Sequence, residues 1–408
     1  MNLLRLLLRK ASIILISYIY KLQSKPLLRG LVSRHPKIFY YYRKIFNSIV
    51  SYSKPVSAFD VSQLNSYPKI SIYKSFSEKG YYCVGYPSVL AIFLTTKCNL
   101  RCLICRREGV TGENMELENL HKLEKAIRFA QIIDLTGWGE PFIYPKFEDV
   151  LNYIFSINTG EVLQITTNGT KLSDRYAKLL SGHLKNMVIS LNAACEATYN
   201  RDMVHGDFKH TITAVRSFLS GLNENDRTKI SLYFVAHADN FRELPDFVAL
   251  AHDLGIIKVS FGNYMISTRE HVRYSLLNVK EEWNELIDRA IDIGKDLGVS
   301  VLARKFFQEQ ERPREQCESP FEEVFILPNG DVGPCCFSGN HFMGNAYKTS
   351  FEDVWFGTEY RRLREKRSLP ACRTCNQFMP FDSFYTHFTG DFRVSKDFKE
   401  IEKLFTLS

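Results

Sequence analysis

The sequence predicts an α/β fold, in which a partial (β/α)6 barrel of the TIM type precedes a small C-terminal α+β module rich in cysteine. Two observations predict it. From about Val89, short β-branched runs alternate with helical stretches, which indicates a parallel sheet covered by helices. After about Lys305 this alternation ends, and a hairpin pattern bounded by cysteines replaces it. Functional residues of such barrels lie at the carboxyl ends of the strands.

Six strands and six helices make up the predicted barrel. The strands are short and rich in β-branched residues, and many of the helices carry charge on one side only. The predicted strands are 89–96, 132–136, 162–167, 187–191, 230–237 and 257–261. The predicted helices are 117–130, 147–156, 175–181, 208–222, 241–254 and 279–297.

The C-terminal module begins with a predicted hairpin, 324–327 and 332–335, around an Asn329-Gly330 turn. A basic amphipathic helix over 351–366 follows. We therefore divide the chain into an N-terminal extension (1–88), the barrel (89–304) and the cysteine-rich module (305–408).

The N-terminal extension is basic and apolar. Of the net charge of +8 on 408 residues, eleven positive charges and no negative one lie in the first 59 residues, so the rest carries about −3. Its longest uncharged stretch near the start, 11–20, is shorter than the roughly 20 residues that a membrane-spanning helix needs. The segment either lies on an anionic membrane surface or packs on the protein itself or on a partner. We expect a cytoplasmic protein, peripheral on the inner face of the membrane in the first case. No nucleic-acid partner is expected, because no binding module is recognisable.

Eight of the ten cysteines fall into two groups, and the absence of an export signal favours a reducing compartment, so metal ligation explains them better than disulfides. The first group is Cys98-x3-Cys102-x2-Cys105, directly after the first strand. Three thiolates in one loop can hold three irons of a [4Fe–4S] cube and leave the fourth iron open to a chelating molecule. Structural zinc is the alternative, but it usually takes four ligands, and this loop has no His.

This loop after the first strand of a β/α barrel resembles that of the radical S-adenosylmethionine (SAM) superfamily, and the resemblance covers about residues 89–300. It implies that the open iron binds exchangeable SAM and that an electron from the cluster cleaves SAM to methionine and a 5′-deoxyadenosyl radical. It also implies a reducing partner such as flavodoxin or ferredoxin. The family often has an aromatic residue before the third cysteine, where this chain has Ile104.

Further positions resemble SAM contacts of that family. The second strand ends in Thr136-Gly137-Trp138-Gly139-Glu140-Pro141, where the family has Gly-Gly-Glu-Pro and this chain has Trp138 in place of the first glycine. Gly139 would let backbone approach SAM, and Glu140 would accept from its ammonium group. Ser190, on the fourth strand, matches a serine that relatives use for SAM. Arg201 matches a more distant arginine with an ambiguous spacing.

No catalytic acid or base is assigned. Side chains at the later strand ends are candidates, although a lone residue in such a place is more often a structural hydrogen-bonding group. They are His237, Asp239, Asn263, Tyr264 and Arg304. The Asn168-Gly169 pair at the third strand end also resembles family members, and it makes a good turn on any fold.

The second cysteine group resembles the auxiliary-cluster modules called SPASM domains and their shorter twitch form, over about residues 310–385. It implies one auxiliary [4Fe–4S] cluster held by Cys317, Cys335, Cys372 and Cys375, because no cysteine follows Cys375. Cys336 competes with Cys335, and four thiolates also suit zinc. Cys83 and Cys195 are unassigned and are buried, inert thiols by default, although epimerases of this group use a cysteine as hydrogen donor.

The sequence thus predicts a radical SAM oxidoreductase or epimerase that acts on a small-molecule sugar or polyol, or on a lipid-linked substrate. The basic N-terminus favours the lipid-linked class. One alternative is a maturase that modifies a ribosomally made peptide. Another is a non-catalytic, membrane-associated iron–sulfur or zinc protein, since fold does not fix function.

Overall fold

The computed structural model describes residues 71–74, 81–84, 86–105, 112–266, 269–305, 317, 319–336, 341–366, 369 and 372. The basic N-terminal segment and Cys375 lie outside these ranges. Strands β1 (Ser71–Lys74) and β2 (Tyr81–Val84) form an antiparallel pair. Within the described ranges, no helix has the length and apolar character to cross a lipid bilayer.

Ten strands form one open sheet. Eight of them are parallel, and the last two pair antiparallel at one edge. The order across the sheet is β11-β10-β9-β7-β6-β5-β3-β12-β13-β14, so β11 and β14 are its edges in the part of the chain that is described. The strands are β3 (Val89–Ile92), β5 (Ile132–Asp134), β6 (Leu163–Thr167), β7 (Leu184–Ser190), β9 (Ile230–Ala236), β10 (Lys258–Asn263), β11 (Ser300–Leu302), β12 (Glu323–Ile326), β13 (Asp331–Gly333) and β14 (Gly344–Asn345). The predicted partial barrel of α/β class is confirmed.

Helices follow the strands and cover one face of the sheet. All six predicted barrel helices are present, although the segments 117–130 and 241–254 begin as 3₁₀ helices, Leu117–Leu123 and Phe241–Glu243. The α-helices are α1 (Glu124–Phe129), α2 (Phe147–Ile157), α3 (Asp174–Leu180), α4 (Glu196–Asp202), α5 (Phe208–Gly221), α6 (Glu224–Arg227), α7 (Leu244–Asp253), α8 (Lys280–Leu297), α9 (Ser319–Glu322), α10 (Phe351–Trp355) and α11 (Thr358–Lys366). Two further short strands, β4 (Arg101–Cys102) and β8 (Met203–Val204), pair antiparallel outside the main sheet.

The strands alternate in burial, and this alternation separates the two faces of the sheet. In β6, Leu163 and Ile165 are fully buried in the core shared with the helices, whereas Gln164 and Thr166 are half-buried on the other face. Strand β9 alternates in the same way over its whole length. We call this less buried face, which lies opposite the helices, the inner face.

The C-terminal module continues the barrel sheet. Strand β12 pairs parallel with β3, with Phe325 opposite Ala91. The predicted hairpin is present as β12 and β13, and its turn places Gly330 at a φ of +90°. The prediction of a single helix over 351–366 is wrong, because α10 and α11 are separate helices that break at Phe356 and Gly357.

A buried arginine ties this module together. The guanidinium of Arg364 lies over the rings of Trp355 and Tyr360, at 4.2 and 4.7 Å from their centroids. It donates to the carbonyl oxygens of Pro320 and Trp355, each at 2.8 Å. Because a buried charge needs such partners, Arg364 fixes α9 and α11 against each other.

Candidate functional site

Three cysteines lie in the loop that leaves the carboxyl end of β3. Cys98 and Cys102 are half-buried, and Cys105 is exposed. The pairing of β4 with β8 anchors the loop, and the N–H of Leu103 donates to the carbonyl oxygen of Asp202 at 2.8 Å. The backbone between the cysteines is therefore held by the segment that follows α4.

The side chains between Cys102 and Cys105 are packed as well. Leu103 and Ile104 contact a small buried cluster that contains Tyr264 and Tyr274. The hydroxyl of Tyr264 lies 2.6 Å from Nδ1 of His271, and Tyr264 itself is buried. The structure thus gives Tyr264 a packing role under the cysteine loop.

Gly139, at the carboxyl end of β5, lies against the start of the cysteine loop. A Cβ at this position would lie 2.5 Å from the carbonyl oxygen of Thr95, 3.0 Å from the amide nitrogen of Lys97 and closer still to the carbonyl oxygen of Lys97. All three atoms belong to backbone. The next amide, of Glu140, donates to that Lys97 oxygen at 2.9 Å. The absence of a side chain at Gly139 is therefore what allows the two strand ends to join.

The Glu140 carboxylate is buried and points into the protein. It accepts from the hydroxyl of Thr167 at 2.7 Å, from the amide of Asn168 at 2.8 Å and from the amide of Phe142 at 3.2 Å. Burial raises the pKa of Glu140 to about 7, although these three donors oppose the shift. The sequence predicts a SAM ammonium as the partner of this carboxylate, whereas the structure gives it three donors from the protein itself.

Asn168, which follows β6, contacts the first cysteine. Its Nδ2 lies 3.7 Å from the sulfur of Cys98 and 3.0 Å from Oδ1 of Asn99. Its Oδ1 accepts from the amide and the hydroxyl of Thr170, at 3.0 and 2.7 Å. The sequence predicts a turn here and a resemblance to family members, but not this contact, which joins segments 70 residues apart.

Ser190 lies at the end of β7, on the same edge of the sheet as the cysteine loop. Its hydroxyl accepts from Nδ2 of Asn192 at 3.1 Å. Asn192 has a φ of +60°, in the left-handed region, and its Oδ1 accepts from the amide of Val235 at 2.8 Å. Ser190 is therefore positioned through Asn192 by β9.

Arg201 belongs to a charge network that is centred on the buried carboxylate of Asp202, beside the cysteine loop. Its guanidinium donates twice to the carboxylate of Asp202, at 2.7 and 2.8 Å, and Nε2 of His237 lies 3.0 Å from the same carboxylate. Burial alone would raise the pKa of Asp202, but its two partners outweigh burial and lower it. The Arg201 side chain remains about half exposed.

His237 is fully buried, and its hydrogen bonds define its tautomer. Nδ1 accepts from the amide of Asp239 at 3.3 Å, so Nε2 carries the proton and donates to Asp202. His237 therefore has a structural role, through its hydrogen bonds to Asp239 and Asp202. Arg304, another of the candidate acid–base residues, contributes its carbonyl oxygen to the indole N–H of Trp283.

Two members of the second cysteine group, Cys317 and Cys335, lie at the other end of the β3–β12 pair. Cys317 precedes α9, which leads to the amino end of β12, and Cys335 follows β13, which runs antiparallel to β12. Both therefore lie near the amino ends of β3 and β12, whereas Cys98 follows the carboxyl end of β3. Cys335 is half-buried and Cys336 exposed. The sulfur of Cys372 accepts from the amide of Leu369 at 3.2 Å.

The two remaining cysteines belong to neither group. Cys195 is exposed, with its sulfur 3.4 Å from Oε1 of Glu243. Cys83 lies in β2, which pairs with β1 in a separate two-stranded sheet. The expectation of a buried thiol is therefore wrong for Cys195, and the side chain of Cys83 lies outside the described part of the structure.

Two family models match this architecture. The one described as the radical SAM superfamily matches residues 92–266, and the one described as the iron–sulfur cluster-binding domain SPASM matches residues 317–376. The chain contains a radical SAM domain and a SPASM module.

The chain is also similar to curated relatives and to a solved structure. A probable GTP 3',8-cyclase of Methanocaldococcus jannaschii is 26% identical over 232 residues, which cover 55% of this chain and 71% of the relative. A tungsten-containing aldehyde ferredoxin oxidoreductase cofactor-modifying protein of Pyrococcus furiosus is 22% identical over 315 residues, which cover 70% and 86%. SuiB of Streptococcus suis, bound to its precursor peptide SuiA, superposes with a TM-score of 0.54 at 16% identity over 74% of this chain and 72% of that one. At that identity the superposition shows the fold alone.

The donor set of the first loop fits the group that this superfamily holds. A radical SAM domain holds a [4Fe–4S] cluster with SAM, and a SPASM domain holds an auxiliary iron–sulfur cluster. Each ligated iron of such a cube takes one thiolate, so three thiols leave one iron open. The sulfur of Cys98 accepts from the backbone amide of Leu100 at 3.5 Å and from the side-chain Nδ2 of Asn168 at 3.7 Å. Across the described ranges, no three His, Cys, Asp or Glu side chains are grouped so that they could hold a single metal ion.

Proposed function

We propose that this radical SAM enzyme abstracts a hydrogen atom from a sugar, polyol or lipid-linked substrate and then oxidises or epimerises it. When bound, the cluster and SAM supply the radical that abstracts the hydrogen. The proposed ligands of the first cluster are Cys98, Cys102 and Cys105, and those of the auxiliary cluster are Cys317, Cys335, Cys372 and Cys375. The proposed SAM contacts are Gly139, Glu140, Ser190 and Arg201. The division into residues 1–88, 89–304 and 305–408 also stays a proposal.

The placement of Cys98 at one end of the β3–β12 pair and of Cys317 and Cys335 at the other end supports this proposal. A substrate on the inner face between them would meet the radical at one edge. The electron that an oxidised product gives up would leave at the other edge. Oxidation of a C–H bond needs both steps, and this arrangement supplies a separate place for each.

The side chains of the inner face support a sugar or polyol. At the strand ends, the ring of Trp138 packs edge-on against Phe93, with centroids 5.9 Å apart, and Phe93 stacks on Phe325 at 5.5 Å. Trp138 is 40% exposed. Aromatic faces of this kind accept the C–H face of a sugar ring, and hydroxyl groups elsewhere on the inner face can bond its oxygens. Tyr233 and Ser260, which pair across β9 and β10, supply such hydroxyls.

Partners and location follow as further proposals. The electron for the first cluster comes from a reductant such as flavodoxin or ferredoxin. The basic segment 1–59 supports contact with an anionic membrane surface on the cytoplasmic side, and it therefore favours a lipid-linked substrate. This segment lies outside the described residues, so the support comes from its charge and composition.

The substrate class can be tested with fractionated cell extracts. Anaerobically reconstituted enzyme with SAM and dithionite would receive polar metabolites, lipid extract or peptides from cells grown in heavy water. We expect the polar or lipid fraction to increase 5′-deoxyadenosine and to transfer deuterium into it, because the hydrogen comes from a substrate C–H bond. Cys98→Ala, with the same fractions, is the matched control. Stimulation by the peptide fraction alone would contradict the proposal and favour a peptide maturase.

A further inference from the structure

The sulfur of Cys98 lies beside a side-chain amide from a different strand end. Nδ2 of Asn168 is 3.7 Å from this sulfur, and the amide of Leu100 is 3.5 Å from it. Asn168 is 8% exposed. A substitution of Asn168 can remove its contact with the sulfur, whereas the contact from the Leu100 backbone amide remains after any side-chain substitution.

The orientation of the Asn168 side chain follows from its other partners. Its Oδ1 faces the amide of Thr170, a group that can only donate, at 3.0 Å. Exchanging the oxygen and nitrogen would set two donors against each other. The Nδ2 group must therefore point toward Cys98 and toward Oδ1 of Asn99, 3.0 Å away. Asn99 in turn donates to the hydroxyl of Thr170 at 2.8 Å, which closes the ring.

The backbone of Asn168 is fixed to the cysteine loop by a second route. Its amide donates to Glu140 at 2.8 Å, and the amide of Glu140 donates to the carbonyl oxygen of Lys97 at 2.9 Å. Lys97 directly precedes Cys98. The distance between the Asn168 amide group and the Cys98 sulfur is therefore set on both sides by buried hydrogen bonds.

We propose that Asn168 is a positioning residue of the first cluster, which donates an N–H to the Cys98 thiolate, orients that ligand and raises the reduction potential of the cluster. The inference rests on ligation of the cluster by Cys98, which is part of the proposed function. Reduction adds negative charge to the cluster and its sulfurs, and a donor aimed at sulfur stabilises the reduced form more than the oxidised form. Loss of the donor then makes the cluster harder to reduce.

A redox titration followed by EPR tests this with Asn168→Ala in the full-length, reconstituted protein. The signal that changes on addition of SAM identifies the first cluster. At a fixed potential we expect the ratio of reduced to oxidised cluster to fall about three- to tenfold, where tenfold corresponds to 59 mV for a one-electron couple. Asn168→Asp keeps the shape and replaces the donor with a negative charge, so it should shift the potential further in the same direction.

Asn158→Ala is the matched control. Its side chain donates to the carbonyl oxygens of Ile127 and Ala130, at 2.9 and 3.0 Å, so two N–H bonds are lost. Asn158 precedes β6 and therefore lies at the amino edge of the sheet, away from Cys98. We expect this variant to lose stability and to keep the wild-type potential.

A wild-type measurement keeps the test independent of how the variants fold. With ¹⁵N-labelled asparagine side chains, the reduced first cluster should show a ¹⁵N hyperfine coupling that Asn168→Asp loses. An unchanged potential in iron-replete Asn168→Ala, or no ¹⁵N coupling in the wild type, overturns the role of Asn168. If instead Cys98→Ala retains the SAM-responsive cluster, the cluster assignment fails, which is a distinguishable result.

Discussion

Substitution of Gly139 by alanine should displace the cysteine loop. The new Cβ would lie 2.5 Å from the carbonyl oxygen of Thr95 and 3.0 Å from the amide nitrogen of Lys97. Ordinary contact begins near 3.4 Å, so one strand end must move by roughly 1 Å. Because these atoms are backbone, no side chain can rotate away, and we expect about 3 kcal/mol of destabilisation, the upper part of the usual range for overpacking.

The movement also strains the 2.9 Å hydrogen bond from the Glu140 amide to Lys97, which contributes about 1 kcal/mol when intact. Iron per chain after anaerobic reconstitution measures the displacement of the cysteine loop. Urea unfolding measures the loss of stability. We expect Gly139→Ala to lose most of the iron of the first cluster. Gly160→Ala is the control, since its Cβ would meet only ordinary contacts, the nearest being Val162 at 3.4 Å. Iron content and stability equal to those of Gly160→Ala would refute the reasoning.

Three further predictions concern buried charge and the auxiliary ligands. Glu140 has a folded pKa of about 7, above its ordinary 4.5, so the folded state retains a proton that the unfolded state releases, and stability should fall between these pH values by up to about 3 kcal/mol. Urea unfolding at pH 5 and pH 8 would show this slope in the wild type and not in Glu140→Gln; an equal slope in both would be inconsistent with Glu140 as its source. The pKa of Asp202 is lowered, so its contribution to the free energy of unfolding is present above the unfolded value of 3.8 and is lost as the pH falls further. Asp202→Asn should lower the free energy of unfolding by about 2 kcal/mol at pH 7 in the same assay. An unchanged free energy of unfolding would show that the network does not stabilise the fold. Cys335→Ala should abolish the EPR signal of the auxiliary cluster while Cys336→Ala keeps it, and the reverse pattern would reassign the ligand.

The barrel could be predicted because its signals are local. Strands such as β6 and β9 are β-branched and alternate in burial, and the helices between them bury one side, so period and length are readable within ten residues. Strand β11 has only three residues, and its Leu302 is 69% exposed, so no apolar run marks it. The pairing of β12 with β3 joins residues more than 230 positions apart, and the sequence of neither strand identifies the strand that it pairs with.

The candidate site likewise combines features that the local sequence predicts with features that depend on distant residues. Spacing alone places Cys98, Cys102 and Cys105 in one loop, because three ligands within eight residues need no tertiary information. Two of the three donors to the Glu140 carboxylate, Thr167 and Asn168, lie on another strand end, so its sequence motif could not show that it is buried among them. The amide of Asn168 reaches Cys98 only once β3 and β6 have been brought to one edge.

Reductive cleavage of SAM tests the central claim most directly. Iron-replete, anaerobic protein incubated with SAM and dithionite should yield 5′-deoxyadenosine and methionine in equal amounts, and Cys98→Ala should yield neither. A cluster-replete wild-type sample that forms no 5′-deoxyadenosine would contradict the account.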